Sequence, residues 1–318
     1  MSGVRGRRKA GKSQHLTPDT RPLLVSPTLL HRWPLPQPDE DGDKEERGRV
    51  LVVGGSAEMP GAVLLAATAA LRAGAGKLQI ATNRSVAQSV AVSVPEARIF
   101  ALPETKAGAI AVSAAAEIIE RASKVNAVLF GPGMINEETV ARLVSKVLPR
   151  IGKATVILDA AALHCFKESP QCLHDLDCKA ILTPHAGEMA KMMNVSKSTV
   201  TREPLAIARE AARNLRAVVV LKGAETHIAS HNSSKSYCNR AGNVGLATSG
   251  SGDTLSGVIT GLAARGATPL QAAIWGVYLH ARAGDVLAKR VGRLGYLARE
   301  LLAEVPALMS KLGEGKKS

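Results

Sequence analysis

Five short apolar runs, each followed at once by glycine or by a charged or polar residue, limit what this chain can fold into. They span residues 50–53, 127–130, 155–158, 180–183 and 218–221. Segments 62–75, 108–122, 137–148 and 203–215 lie between them and carry apolar residues at helical spacing. Alternation of this kind predicts a three-layer α/β/α fold with a mostly parallel central sheet and crossover helices on both faces. The runs are apolar throughout, as strands buried on both faces must be. From residue 270 the chain reads as helical to about 312.

The residues at the ends of the runs are as telling. Gly54-Gly55-Ser56, Gly131-Pro132-Gly133, Asp159, Pro184-His185-Ala186-Gly187-Glu188 and Lys222-Gly223-Ala224-Glu225-Thr226 come immediately after them. Ligands of open α/β sheets bind outside the carboxyl ends of the strands. Short βα loops need glycine and polar residues anyway. That accounts for one or two of these loops, but not for all of them together, so the pattern predicts a ligand lying along that edge.

One stretch adds chemistry. Gly250-Ser251-Gly252-Asp253 opens a segment in which Leu255, Val258, Ile259 and Leu262 share one helical face. A small-residue turn at a helix N-terminus exposes backbone N–H groups and adds a partial positive charge, which together make an anion site. Asp253 is then either a helix cap or a base that takes a proton from a hydroxyl attacking a phosphoryl group.

Composition narrows the partners. The formal charge is +14, much of it in Arg5, Arg7, Arg8, Lys9 and Lys12 and in Lys316 and Lys317. The remainder suits an anionic small molecule such as a nucleotide. Aromatic residues are only 3%, too few for base-stacking platforms, so no specific nucleic acid is expected. Cys165, Cys172, Cys178 and Cys238 lack CxxC spacing and read as reduced thiols of a cytoplasmic protein. No run of apolar residues is long enough to span a membrane. Residues 1–47 read as a basic, Pro-rich arm, partly disordered and dispensable at least over 1–40. Residues 48–312 read as one domain and 313–318 as a tail.

The ordered set Gly54-Gly55-Ser56, Gly61-Ala62, Gly131-Pro132-Gly133, Leu182 to Glu188, Leu221-Lys222-Gly223 with Thr226, Gly242-Asn243, and Gly250 to Gly257 resembles the NAD(P)H-hydrate dehydratases, a family of ribokinase-like fold. The resemblance covers about residues 48–310. It implies ADP-dependent removal of water from the S epimer of NADH or NADPH hydrate, by phosphorylation of the ring hydroxyl and loss of phosphate, with release of AMP. Asp253 would be the catalytic base. Lys222, Gly223, Ala224, Glu225 and Thr226 would contact the nucleotide, and the N–H groups of Gly250, Ser251 and Gly252 the transferring phosphoryl. Ala62, Gly131, Gly133, His185 and Asp253 would face the hydrate. Mg²⁺ would assist the phosphates, with no ligands assigned. A homo-oligomer is expected, and a separate NAD(P)H-hydrate epimerase as functional partner.

The chain departs from the family at three places. Ala161 stands where a second aspartate is common, Lys44 to Gly48 where many members read His-Lys-Gly, and Ala298-Arg299-Glu300 where Ala-Ser-Asp is frequent. Two other readings remain open at this point. One is a ribokinase-like kinase of a vitamin precursor; the other is a non-catalytic nucleotide-binding protein.

Overall fold

A computed structural model describes residues 21–39, 43–168, 171–173, 176 and 179–313. Ten strands form one sheet: β1 (Leu23–Leu24), β2 (Arg49–Val53), β3 (Lys77–Asn83), β4 (Ala97–Leu102), β5 (Ala127–Phe130), β6 (Thr155–Leu158), β7 (Ala180–Leu182), β8 (Val218–Leu221), β9 (Thr226–Ser230) and β10 (Tyr237–Asn239). Their order is β1-β10-β9-β8-β7-β6-β5-β2-β3-β4. The seven strands from β8 to β4 run parallel, and β9 is antiparallel to both its neighbours.

The five expected strands form the middle of this sheet, and their period-2 alternation divides the core in two. Leu51, Val53, Val128, Phe130, Val156, Leu158, Val219 and Leu221 face a layer that includes helices Ala115–Ala122, Glu137–Val147, Ala186–Met193 and Pro204–Leu215. Val50, Val52, Leu129, Ile157, Ile181, Val218 and Val220 face the other layer. There, helices Pro60–Arg72, Ser251–Ala264, Pro269–Arg290 and Ala298–Gly313 stack on the sheet.

Helix Ser251–Ala264 is buried all round from Thr254 to Ala264, and not on one face as its periodicity predicts. The reason is a backbone-close contact with helix Pro60–Arg72. A Cβ built on Gly257 would sit 2.2 Å from the Ala66 carbonyl oxygen, and one on Gly261 would sit 2.3 Å from that of Ala70. Only glycine fits on one helix, and only alanine-sized side chains fit on the other. The alanine-rich segment 66–75 is therefore a packing surface.

The amino-terminal arm departs from the sequence reading. Residues 1–20 and 40–42 lie outside the described residues, but 23–35 pack on the core. β1 pairs with β10, and Val25, Leu30 and Leu35 are buried. Trp275 Nε1 donates to the Trp33 carbonyl at 2.9 Å, Gln271 Nε2 to that of Pro34 at 2.7 Å, and Arg265 Nη2 to that of Pro36 at 2.9 Å. Proline-rich backbone lacks donors but keeps every carbonyl, so polar side chains of the C-terminal helices hold it as an acceptor strip.

The strand order reverses between β2 and β5, the switch point at which the sheet edge opens a crevice. Here Gly55 N–H donates to the Pro132 carbonyl at 2.7 Å. Gly131 and Gly133 have φ of 126° and 67°. A Cβ on Gly131 would meet the Asp159 carbonyl oxygen at 1.8 Å, and one on Gly133 the Ala62 Cβ at 3.0 Å. Loop-on-loop packing is thus sufficient reason for these two glycines and for the small residue at 62.

This packing sets two stability outcomes. Gly261→Val should cost at least about 1–3 kcal/mol through overpacking. Leu30→Ala should cost about 2–5 kcal/mol, as for a core leucine and not for an arm in solvent. Urea midpoints at constant m measure both, and a change under about 0.5 kcal/mol at position 30 would mean that the arm does not dock.

Candidate active site

The carboxyl edge of β6, β7 and β8 gathers four polar side chains. Asp159 follows β6, His185 and Glu188 follow β7, and Lys222 follows β8. The parallel register brings their loops together: Lys222 N–H donates to the Pro184 carbonyl at 2.8 Å. Asp159 is buried, and its Oδ1 accepts from Thr183 Oγ1 at 2.7 Å and from Lys222 Nζ at 2.9 Å. Glu188 Oε2 stands 4.0 Å from the same ammonium. The residue after Asp159, Ala160, has φ of 48°, a left-handed conformation uncommon for alanine. It turns the chain sharply where the carboxylate must face inward.

The Gly250 turn meets this cluster from the other side. Gly250 caps helix Ser251–Ala264 with φ of 85° and makes no side-chain cap bond. A Cβ on Gly252 would lie 3.5 Å from Lys222 Nζ and 3.9 Å from Asp159 Oδ2. Asp253 is therefore the third residue of the helix and not its cap. The Ser251 amide is already engaged, donating to the Thr248 carbonyl at 3.2 Å. This removes one of the three N–H groups expected to form an anion hole. The Gly252 amide has no acceptor among the described residues and remains available.

Electrostatics single out Asp253. Burial, and then the charge of Asp159, push its carboxyl up to about 7, against the opposing pull of Lys222. Burial opposes the Lys222 ammonium, but the carboxylates of Asp159, Glu188 and Asp253 outweigh it and hold its pKa above the ordinary value. A carboxylate that exchanges its proton near neutrality beside a fixed cation and a helix N-terminus can act as a base toward a hydroxyl.

Other residues have different places from those expected. His185 caps helix Ala186–Met193: its Nδ1 accepts from the amides of Gly187 at 2.9 Å and Glu188 at 3.2 Å, and Glu188 Oε2 accepts from the His185 amide at 2.7 Å. That capping box leaves only Nε2 for a ligand, and Nε2 stands 3.5 Å from Glu188 Oε1. Gly223, Ala224 and Glu225 form an exposed lip leading to Thr226 at the start of β9. Ala161 packs on the core. No second carboxylate stands at this position, while Asp159 remains in the site.

Two features escaped the sequence reading. Asp159 as the partner of Lys222 is one; nothing local to either residue signals the pairing. The other is His280, buried on helix Pro269–Arg290, whose Nε2 lies 3.0 Å from Ser251 Oγ. Burial lowers its pKa to about 4, so it is neutral and steadies the turn without adding charge. A cavity of about 330 Å³ opens beside Glu188, lined also by Leu163, Met192 and Asn194, and is large enough for part of a small-molecule ligand.

This architecture is ribokinase-like. A ribokinase-like superfamily protein of Enterococcus faecalis superposes with a TM-score of 0.80 at 25% identity, over 92% of this chain and 97% of that one. The family model described as NAD(P)H-hydrate dehydratase matches residues 50–307, and the chain belongs to that family. It is 46% identical to the ADP-dependent (S)-NAD(P)H-hydrate dehydratase of Xanthomonas campestris, over 93% of this chain and 99% of that protein. An ADP/ATP-dependent NAD(P)H-hydrate dehydratase of Bacillus subtilis, co-crystallized with ATP/Mg²⁺, aligns with a TM-score of 0.75 at 30% identity, over 92% of this chain and 99% of that one. The bifunctional NAD(P)H-hydrate repair enzyme of Escherichia coli is 30% identical over 92% of this chain, which spans 53% of that protein.

The raised pKa of Asp253 has a consequence for stability. The folded state favours the protonated form, so stability falls as pH rises from the ordinary carboxylate range toward about 7. Asp253→Asn should therefore be more stable than wild type at pH 8, with the gain shrinking toward pH 4. Urea melts at the two pH values measure it; a gain that grows on acidification would reverse the sign and refute the shift.

Proposed function

We propose that this protein is an ADP-dependent dehydratase of the S epimer of NADH or NADPH hydrate, and that Asp253 is its base. The observation that carries the reading is the half-buried Asp253 carboxylate in the first turn of a helix, beside Lys222, where burial and the charge of Asp159 push its pKa up to about 7. The family membership of the chain supports the substrate class.

The chemistry follows from the charges. Asp253 accepts the proton of the ring hydroxyl as its oxygen attacks the terminal phosphoryl group of ADP. The phosphoryl–oxygen bond to AMP breaks, and AMP leaves. Lys222 and the Gly252 amide oppose the charge on the transferring group. The phosphorylated hydrate then loses phosphate from one ring carbon and a proton from its neighbour to solvent, and the ring double bond of NADH or NADPH is restored. Gly223, Ala224, Glu225 and Thr226 line the nucleotide side, and Ala62, Gly131, Gly133 and His185 the hydrate side.

The donor set also fits Mg²⁺. Asp159 spends Oδ1 on Thr183 and Lys222, which leaves Oδ2 toward the Gly250 turn, and Glu188 is the second carboxylate within reach. Mg²⁺ is held by one or two carboxylates together with phosphate oxygens. When bound, it would neutralise phosphate charge there.

The test is a two-signal assay with hydrated NADH and ADP, following the return of reduced-nicotinamide absorbance and the release of AMP. Wild type should give both in equal amounts. Asp253→Asn should lower kcat by about 10²–10⁴-fold, as loss of a general base does, and leave ADP affinity within a few-fold. AMP without recovered NADH would point to a kinase. A variant retaining more than about a tenth of wild-type kcat would remove Asp253 from the role.

A further inference from the structure

Beyond the catalytic cluster, a second group of side chains is arranged as ligands. His227 on β9 stands directly across from Cys238 on β10. Glu225 is two residues before His227, so it projects on the same face. One ligand atom from each of the three lies within 4.8 Å of the other two. Cys238 Sγ donates to Glu225 Oε2 at 3.3 Å, while Arg240 Nε holds the other carboxylate oxygen at 2.9 Å.

His227 supplies the independent observation. It is only 9% exposed, and its Nδ1 is buried with no hydrogen-bond partner. A buried ring nitrogen left without a partner is costly unless something else occupies it.

We propose that Glu225, His227 and Cys238 form a binding site for a thiophilic divalent cation of the Zn²⁺ class, at the root of the loop that follows β8. The ligand set decides the class. Thiolate and imidazole suit Zn²⁺ and its neighbours, whereas Mg²⁺ takes oxygen ligands and would not use Cys238. At bonds of about 2.0–2.3 Å, tetrahedral ligand atoms stand about 3.3–3.8 Å apart, a small contraction from the present arrangement. The exchange balances simply: the Cys238 S–H bond breaks, a sulfur–metal bond forms, and one proton leaves to solvent. Glu225 Oε2 then turns from accepting that proton to binding the metal, while Arg240 keeps Oε1. Glu225 is partly exposed, so the ion has an entry path and the fourth position opens to water.

The site shares Glu225 with the loop proposed to line the nucleotide side, so it is tested without nucleotide. The full chain, reduced and in excess Mg²⁺, is titrated with Co²⁺ under anaerobic conditions. The expected result is a thiolate-to-cobalt charge-transfer band that saturates at one equivalent, is bleached by Zn²⁺, and comes with release of one proton per metal. Cys238→Ser should abolish the band, and Cys165→Ala should retain it. Glu225→Gln, a change at an exposed carboxylate, should keep the band but weaken Zn²⁺ binding by at least about tenfold, since even outer-shell losses cost 10–100-fold. No band in wild type, a band that survives in Cys238→Ser, or unchanged Zn²⁺ affinity in Glu225→Gln would each overturn the site. If Cys238→Ser does not fold, the Glu225→Gln affinity decides.

Discussion

The contact of helix Ser251–Ala264 with helix Pro60–Arg72 is the constraint on which the site depends. Gly257 and Gly261 let the two backbones approach to within the reach of one missing methyl group. That closeness fixes the depth at which the amino end of the first helix meets the sheet edge. Gly252 then falls against Lys222 and Asp159. A helix held a residue's width farther out would leave Asp253 in water, with an ordinary carboxylate pKa and no cation beside it. Core packing and acid–base chemistry are here two ends of one rigid rod.

The central cluster works by opposition. Asp159 raises the pKa of Asp253 and Lys222 lowers it, yet Asp159 and Lys222 hold each other. The pair is nearly neutral as a unit, so it can sit largely inside the protein at the edge of the site. Thr183 completes the arrangement by satisfying the same carboxylate oxygen from β7. His280 performs a quieter task, steadying Ser251 without adding charge.

What could be read in the sequence divides along physical lines. β2 and β5 to β8 were legible because both of their faces are buried, which leaves uninterrupted apolar runs. β4 alternates with solvent, and the antiparallel β9 and β10 carry His227 and Cys238, so none of the three shows such a run. Asp253 and Lys222 were legible as loop residues at strand or helix ends. Asp159 was legible in the same way, but its pairing with Lys222 was not, because 63 residues separate the two. The anion hole was over-read at Ser251, since a turn's own hydrogen bond to Thr248 is invisible in residue types. The arm misled in the opposite direction. Proline and charge read as solvated chain, while the structure uses the free carbonyls of Trp33, Pro34 and Pro36 as acceptors.

That arm has a consequence for how the molecule is made. Residues 23–36 are synthesised well before their partners: their strand neighbour β10 and the side chains of Arg265, Gln271 and Trp275 follow more than 200 residues later. At about 5–20 residues per second the segment must wait on the order of ten seconds or more for the surface it docks on. Long-range closure of this kind is slow. A segment translated this early is therefore among the last to dock, and until then β10, with its cysteine and its open edge, is uncovered in the nascent chain.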